Sequence, residues 1–268
     1  MQYQEVQYQV QYRILNNLNL YSSPELNSLV TQAAPDRWLT INPEAINPQA
    51  INSQNGGERN PEIDSTLLPT APPIAPLTVK LVEDEYPGWL DPTDWGKLVA
   101  SETQYCAPVV TALEIKLRLL DAIGFARQAM TVDNQYLWGG TVAPNYDCSG
   151  LMQAAFRSVG IQLPRDAYQQ ESFLTAIIWQ DLSQLLEQLQ PGDLIFFGTP
   201  IKATHVGLYL GNGEYIHSSG IQHGRNGIGI NSLDSTSDDP VSRHYLSELR
   251  GAGRVVKSFS PKDVSPPS

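Results

Sequence analysis

The sequence predicts an α+β protein built in two parts, and three observations carry that expectation. The first hundred residues hold short runs with strand-like alternation and turn residues between them. Helical periodicity begins near Pro108. In the remainder, helical stretches come first and a run of strands follows, rather than the alternation that builds a parallel sheet.

The elements follow in order. "YQVQYRIL" partly alternates, and "NNLNLYSSPELNSLV" supplies turn chemistry before another apolar run. From Ile41 to Pro76 the chain is rich in Pro and Asn, repeats Ile-Asn-Pro-x-Ala, and lacks the aromatic and branched residues of a core. It is expected to form a long mobile loop inserted in a β domain, because "LTVKLVEDEYPGWL" at once resumes strand-like sequence. "VVTALEIKLRLLDAIGFARQAM" is helical, which places a boundary near residues 100 to 108 and divides the chain into 1–105 and 106–268. A second helix begins within "APNYDCSGLM". Asp147 is a good N-cap, Cys148, Leu151, Met152, Ala155 and Val159 recur at helical spacing, and Gly160 supplies a stop. A helical region at about 166–190 precedes "DLIFFG" and the hairpin "THVGLYLGNGEYIHS".

Bulk properties exclude some functions. The chain has 268 residues, 41% of them hydrophobic, which is enough for a packed core. A net charge of −11 argues against nucleic-acid or anionic-membrane partners. No stretch approaches the ~20 apolar residues of a membrane span. "MQYQEVQYQVQYRIL" has no basic leader or apolar core of a signal peptide, and two cysteines are too few for a disulfide scaffold. A cytoplasmic protein with reduced thiols is the expectation.

Cys148 would fall in the first turn of its helix, where unpaired N–H groups and the helix dipole favour thiolate. A small buried cysteine near a helix end fits the same pattern, and on its own the position decides nothing. A nucleophile needs a base and the base an orienting partner. Two of the four histidines, His205 and His217, sit in the hairpin. With a three-residue loop Gly211-Asn212-Gly213, Gly207 faces His217, and both imidazoles share one face as diagonal neighbours. A two-residue loop would put them on opposite faces. Gly207, lacking a side chain, would let the Cys148 helix end come close. His223 and His244 read as loop or surface positions. The spacing of Cys, His and Asp fits no zinc motif, and neither metal nor cofactor is expected.

The blocks "YLWGGTVAPNYDCSGLMQAAFRSVGIQLPRDAYQQ", "LQPGDLIFFG" and "HVGLYLGNGEYIHSSG" closely resemble the NlpC/P60 cysteine peptidases. "LNLYSSPELNSLVTQAA" and "VKLVEDEYPGWL" are similar to a bacterial SH3-type (SH3b) β-barrel. Together they resemble γ-D-glutamyl-L-diamino acid endopeptidases, in which an SH3b barrel precedes a papain-like domain. The resemblance implies Cys148 as nucleophile, His205 as base, His217 as the residue that orients it, and Tyr136 in the oxyanion site. It implies a depressed Cys148 pKa through a thiolate–imidazolium pair. It also implies that Asp147 and Tyr86, with Ser149, bind the free amine of L-Ala in the muropeptide L-Ala-γ-D-Glu-diaminopimelate. Arg165 and Gln169 match a further block without an assigned role. The lead expectation is a wall-peptide recycling enzyme; an inactive peptide-binding protein and a papain-like amidase or acyltransferase are the alternatives.

Overall fold

A computed structural model describes residues 10–42 and 73–263. Most of the 41–76 insertion lies outside the described residues. The chain divides into two compact units, residues 1–106 and 107–268.

The first unit is antiparallel. Its strands are β1 (Gln11–Ile14), β2 (Leu18–Tyr21), β3 (Leu29–Ala33), β4 (Trp38–Ile41), β5 (Leu77–Leu81), β6 (Pro87–Leu90) and β7 (Leu98–Ala100). They form one seven-stranded sheet in the order β3-β2-β6-β5-β4-β1-β7. Alternation sends one side of each strand inward. Ile14, Leu18, Leu20, Leu39, Leu77, Leu81 and Leu90 are thereby buried in a single core. The strand order leaves β3 and β7 as edges, so the expected closed barrel is not what the ladder displays. Tyr86 lies in the turn from β5 to β6 and its carbonyl accepts from the Leu81 N–H.

The second unit begins with α1 (Ala112–Thr131), whose start is fixed by a capping box between Thr111 and Glu114. A small pair, β8 (Thr141–Val142) and β9 (Asn145–Tyr146), leads into α2 (Cys148–Ser158), and Gly160 beyond its end has φ +78°. Next come α3 (Ala167–Phe173), β10 (Thr175–Ala176) and α4 (Leu182–Gln188). The strands β11 (Leu194–Gly198), β12 (Ala203–Gly211), β13 (Glu214–Ser219) and β14 (Gly227–Ser232) follow, then α5 (Pro240–Ser247) and β15 (Leu249–Arg254). The six-stranded sheet runs β10-β15-β11-β12-β13-β14. Both faces are covered. Leu194, Phe196, Val206, Leu208 and Ile216 join the core containing Leu151, Met152, Ala155 and Phe156 of α2. Ile195, Phe197, Tyr209 and Tyr215 join the core containing Leu185 of α4 and Val241 and Tyr245 of α5. Strands buried on both faces explain why "DLIFFG" reads as continuously apolar. Among the described residues no helix is long and apolar enough to cross a membrane.

Candidate active site

The start of α2 is held by a buried charge. Asp147, its N-cap, accepts from Gly150 N–H through Oδ1 at 2.7 Å and from Gly139 N–H through Oδ2 at 2.9 Å. Arg165 meets the same carboxylate in a forked pair, Nη1 to Oδ1 at 3.1 Å and Nη2 to Oδ2 at 2.5 Å, and its Nη1 also donates to Ser149 Oγ at 2.9 Å. The Arg165 and Asp147 side chains are 2% and 8% exposed. Such burial is tolerable because each charge has its counter-charge and its hydrogen bonds. Gly150 permits the approach of the preceding turn, since a Cβ there would lie 2.0 Å from the Gly140 carbonyl oxygen. Gln169, the other unassigned residue, accepts from Asp166 N–H in the capping box of α3. Both residues of that block therefore shape the fold.

Cys148 is buried at the first helical position. The ladder between β12 and β13 spans Leu208↔Ile216 to Gly211↔Glu214. Cys148 shares a buried core with Val206, the neighbour of His205 on β12.

The histidines meet on one face, though through a different turn from the expected one. Asn212 and Gly213 have φ +54° and +78°, the signature of a two-residue primed turn, with Gly211 paired to Glu214. An irregularity between Tyr209 and Gly211 then restores the Tyr209↔Tyr215 register. The bulge cancels the one-residue slip that a two-residue loop alone would impose. His205 Nε2 lies 2.7 Å from His217 Nδ1. The space over Gly207 is taken by the Tyr215 ring, which a Cβ would approach to 2.7 Å, rather than by α2 as expected.

Residues that the sequence did not single out complete the arrangement. Tyr245 stacks on His205 with centroids 4.2 Å apart and meets His217 edge-on at 4.9 Å. Its hydroxyl is 2.6 Å from Ser219 Oγ, so the ring plane of His205 is fixed. Asn231 Oδ1 lies 2.8 Å from His217 Nε2. The sequence signals were weak: an alternating "GIGINS" and a "DPVS" cap, neither near the hairpin. His223 and His244 stack on each other at 4.5 Å, outside the His205–His217 hydrogen bond. Among the described residues no group of three or more His, Cys, Asp or Glu is arranged to hold a metal ion.

Electrostatics correct one expectation. Burial pushes the Cys148 thiol up to about 12, helped by Asp147, while the Ser149 and Val206 N–H groups and Arg165 pull the other way. Burial and the neighbouring His217 hold His205 well below 6.5, and burial lowers His217 to about 4. Desolvation outweighs the helix dipole. Both directions favour a thiol and neutral imidazoles over a preformed ion pair. Tyr136 is half-buried, and its phenol is pushed above its ordinary range by burial and then by Cys148 and Asp147. It stays protonated and able to donate. Its backbone N–H is tied to Asn226 Oδ1 at 3.3 Å.

Residues 133–250 match the NlpC/P60 family. The chain is 38% identical over 104 residues to the bifunctional muramidase/DL-endopeptidase CwlT of Bacillus subtilis, covering 36% of this chain and 30% of that protein. It is 29% identical over 128 residues to the murein DD-endopeptidase MepS/murein LD-carboxypeptidase of Escherichia coli, covering 47% of this chain and 61% of that protein. Among solved structures, an NlpC/P60 family protein from Bacillus cereus is similar at 22% identity and a TM-score of 0.42, over 92% of this chain and 64% of that one. The chain thus spans less than two thirds of the length of these relatives.

Proposed function

We propose that the protein, through its NlpC/P60 domain at residues 133–250, is a cysteine endopeptidase that hydrolyses the γ-D-Glu–diaminopimelate bond of wall-derived muropeptides bearing a free N-terminal L-Ala. One observation carries the reading: a buried thiol at a helix start, beside a strand whose His205 is hydrogen-bonded to His217 at 2.7 Å. The bond is a D–L linkage, and DL-endopeptidase stands in the name of the Bacillus subtilis relative.

The resting thiol and neutral imidazole define the chemistry. As Cys148 sulfur attacks the γ-carbonyl carbon, His205 takes the thiol proton. The carbonyl oxygen becomes an oxyanion, stabilised by the Tyr136 hydroxyl and the backbone N–H at the helix start; one such donor is worth ~3–4 kcal/mol. The C–N bond breaks, and the imidazolium returns its proton to the leaving amine of diaminopimelate. Water, deprotonated by His205, then opens the thioester, releasing L-Ala-γ-D-Glu and the free thiol. His217 holds the far side of the His205 ring throughout.

Asp147 and Ser149 are assigned to the α-ammonium of L-Ala. Asp147 is already bonded by Arg165 and two N–H groups. An ammonium would take the place of its weakest contact, the Ser149 hydroxyl at 3.3 Å. A requirement for that amine restricts the enzyme to released peptides, and with it comes the proposed cytoplasmic recycling role. The first unit is proposed to be of SH3b type.

Mass spectrometry of defined muropeptides tests the reading. The expected products are L-Ala-γ-D-Glu and the diaminopimelate-containing remainder. Cleavage at another bond would replace it with amidase or carboxypeptidase activity, and binding without cleavage would make the protein a peptide-binding module.

A further inference from the structure

We propose that Asn231 is a positioning residue that fixes the tautomers of both active-site histidines, and that Arg225 and Asp239 are present to orient its amide. The inference deepens the proposed peptidase reading and rests on it for its kinetic arm alone.

The register places Asn231 for this task. β13 and β14 pair His217↔Gly229 and Tyr215↔Asn231, so Asn231 is the diagonal neighbour of His217 on one face. Gly229, directly opposite His217, has no side chain; a Cβ there would lie 1.8 Å from the Arg225 guanidinium. That space lets Arg225 reach beneath the pair.

An amide can be turned either way, but its neighbours here are unambiguous. Arg225 Nη2, which can only donate, lies 3.0 Å from Asn231 Oδ1. Asp239 Oδ2 lies 2.6 Å from Asn231 Nδ2. The hydrogen bonds of Ser242, with others, hold the Asp239 carboxyl below its ordinary range, so at neutral pH it only accepts. Ser242 Oγ donates to Asp239 at 2.6 Å and accepts from Asn231 Nδ2 at 3.0 Å. Oxygen must therefore face Arg225, and nitrogen must face Asp239.

The consequence passes along the chain of rings. Asn231 Oδ1 accepts, so His217 Nε2, 2.8 Å away, carries the proton. A neutral His217 then has a bare Nδ1, and the His205 Nε2 at 2.7 Å must be the N–H donor. His205 Nδ1 is left unprotonated, which is the state a base for Cys148 requires. Were the amide reversed, His217 Nε2 would be bare, Nδ1 would carry the proton, and His205 would present its Nε2 lone pair to His217 and carry its proton on Nδ1.

Nitrogen-15 NMR of the histidines at pH 7, on the full chain without substrate, tests this directly. Both His205 and His217 should be Nε2–H tautomers in the wild type. Asn231→Leu should populate the Nδ1–H form of His217. It should also lower kcat on L-Ala-γ-D-Glu-diaminopimelate by ~10²-fold or more, the scale of wrong-tautomer losses in comparable triads, with KM within about twofold. Asn231→Asp combined with Asp239→Asn, which keeps an acceptor facing His217 and a donor between the two side chains, should retain the wild-type tautomers and at least about tenfold more kcat than the leucine variant. Arg225→Met, which removes the donor facing Asn231 Oδ1, should give mixed tautomers. A bare Nε2 on either histidine in the wild type would overturn the proposal whatever the variants do. So would unchanged tautomers in Asn231→Leu. Because the tautomers are read without substrate, a wild type that shows them yet cuts no muropeptide would refute the peptidase reading and leave this inference standing.

Discussion

Replacing Arg165 by Met separates the role of the Asp147–Arg165 pair from that of the nucleophile. Methionine keeps much of the apolar stem and removes the cation. The structure then leaves Asp147, 8% exposed, with two backbone N–H donors and no counter-charge. Breaking a buried pair from one side costs ~3–5 kcal/mol, and the two remaining N–H bonds argue for the lower end. For a unit of this size each kcal/mol moves the melting temperature by ~2–4 °C, so a loss of about 3 kcal/mol lowers Tm by ~6–12 °C. Differential scanning calorimetry of the second unit's transition reads this. Asp147→Asn combined with Arg165→Met removes both charges, and the double variant should melt clearly above the sum of the single losses, with a coupling of ~1.5 kcal/mol or more. A single variant within 2 °C of wild type, or strict additivity, would refute the view that this pair secures the start of α2.

Other outcomes follow from the same geometry. The acid limb of kcat/KM should lie below pH 6.5, because burial depresses both His205 and His217 and the neutral rings are the working forms. Stability has the same sign: the unfolded His217 takes up its proton near pH 6.5 and the folded one near 4, so stability falls as pH drops through that window, by about 3 kcal/mol at its lower end. A flat Tm between pH 7 and 4.5 would contradict it. Iodoacetamide at pH 7 should modify exposed Cys106 before buried Cys148 in the unliganded protein, and the reverse order would restore the preformed thiolate. Gly150→Ala should fail to accumulate as folded protein, given the 2.0 Å approach to the Gly140 carbonyl, and a normal melting curve would show that turn to be movable. N-acetylation of the L-Ala amine should lower kcat/KM at least tenfold if Asp147 and Ser149 receive it; rates within threefold would leave Asp147 as a cap alone.

Local signals made some of this architecture legible in advance. The Asp147 cap, the periodic apolar residues and Gly160 define α2 because a helix carries its own start and stop in adjacent residues. The pairing of His205 with His217 was legible because alternation sets faces, although the turn itself was misjudged: Asn212-Gly213 is a two-residue turn, and the bulge that compensates for it has no sequence mark. Tyr245 and Asn231 were not legible. Each reaches the histidines through tertiary packing, one from α5 and one from the neighbouring strand. The direction of the thiol's pKa was not legible for a related reason. A helix dipole can be inferred from a cap, but the desolvation that outweighs it depends on what covers Cys148. Arg165, 18 residues beyond Asp147, became interpretable once the two were seen paired.

The central claim is that Cys148 is the nucleophile of a hydrolase acting on muropeptides. It is tested most directly by following L-Ala-γ-D-Glu-diaminopimelate by liquid chromatography and mass spectrometry with wild-type protein and with Cys148→Ala, each shown to be folded by its melting curve. The account predicts equal amounts of L-Ala-γ-D-Glu and diaminopimelate from the wild type and no product above the uncatalysed background from the variant. Turnover by folded Cys148→Ala within tenfold of wild type would contradict it.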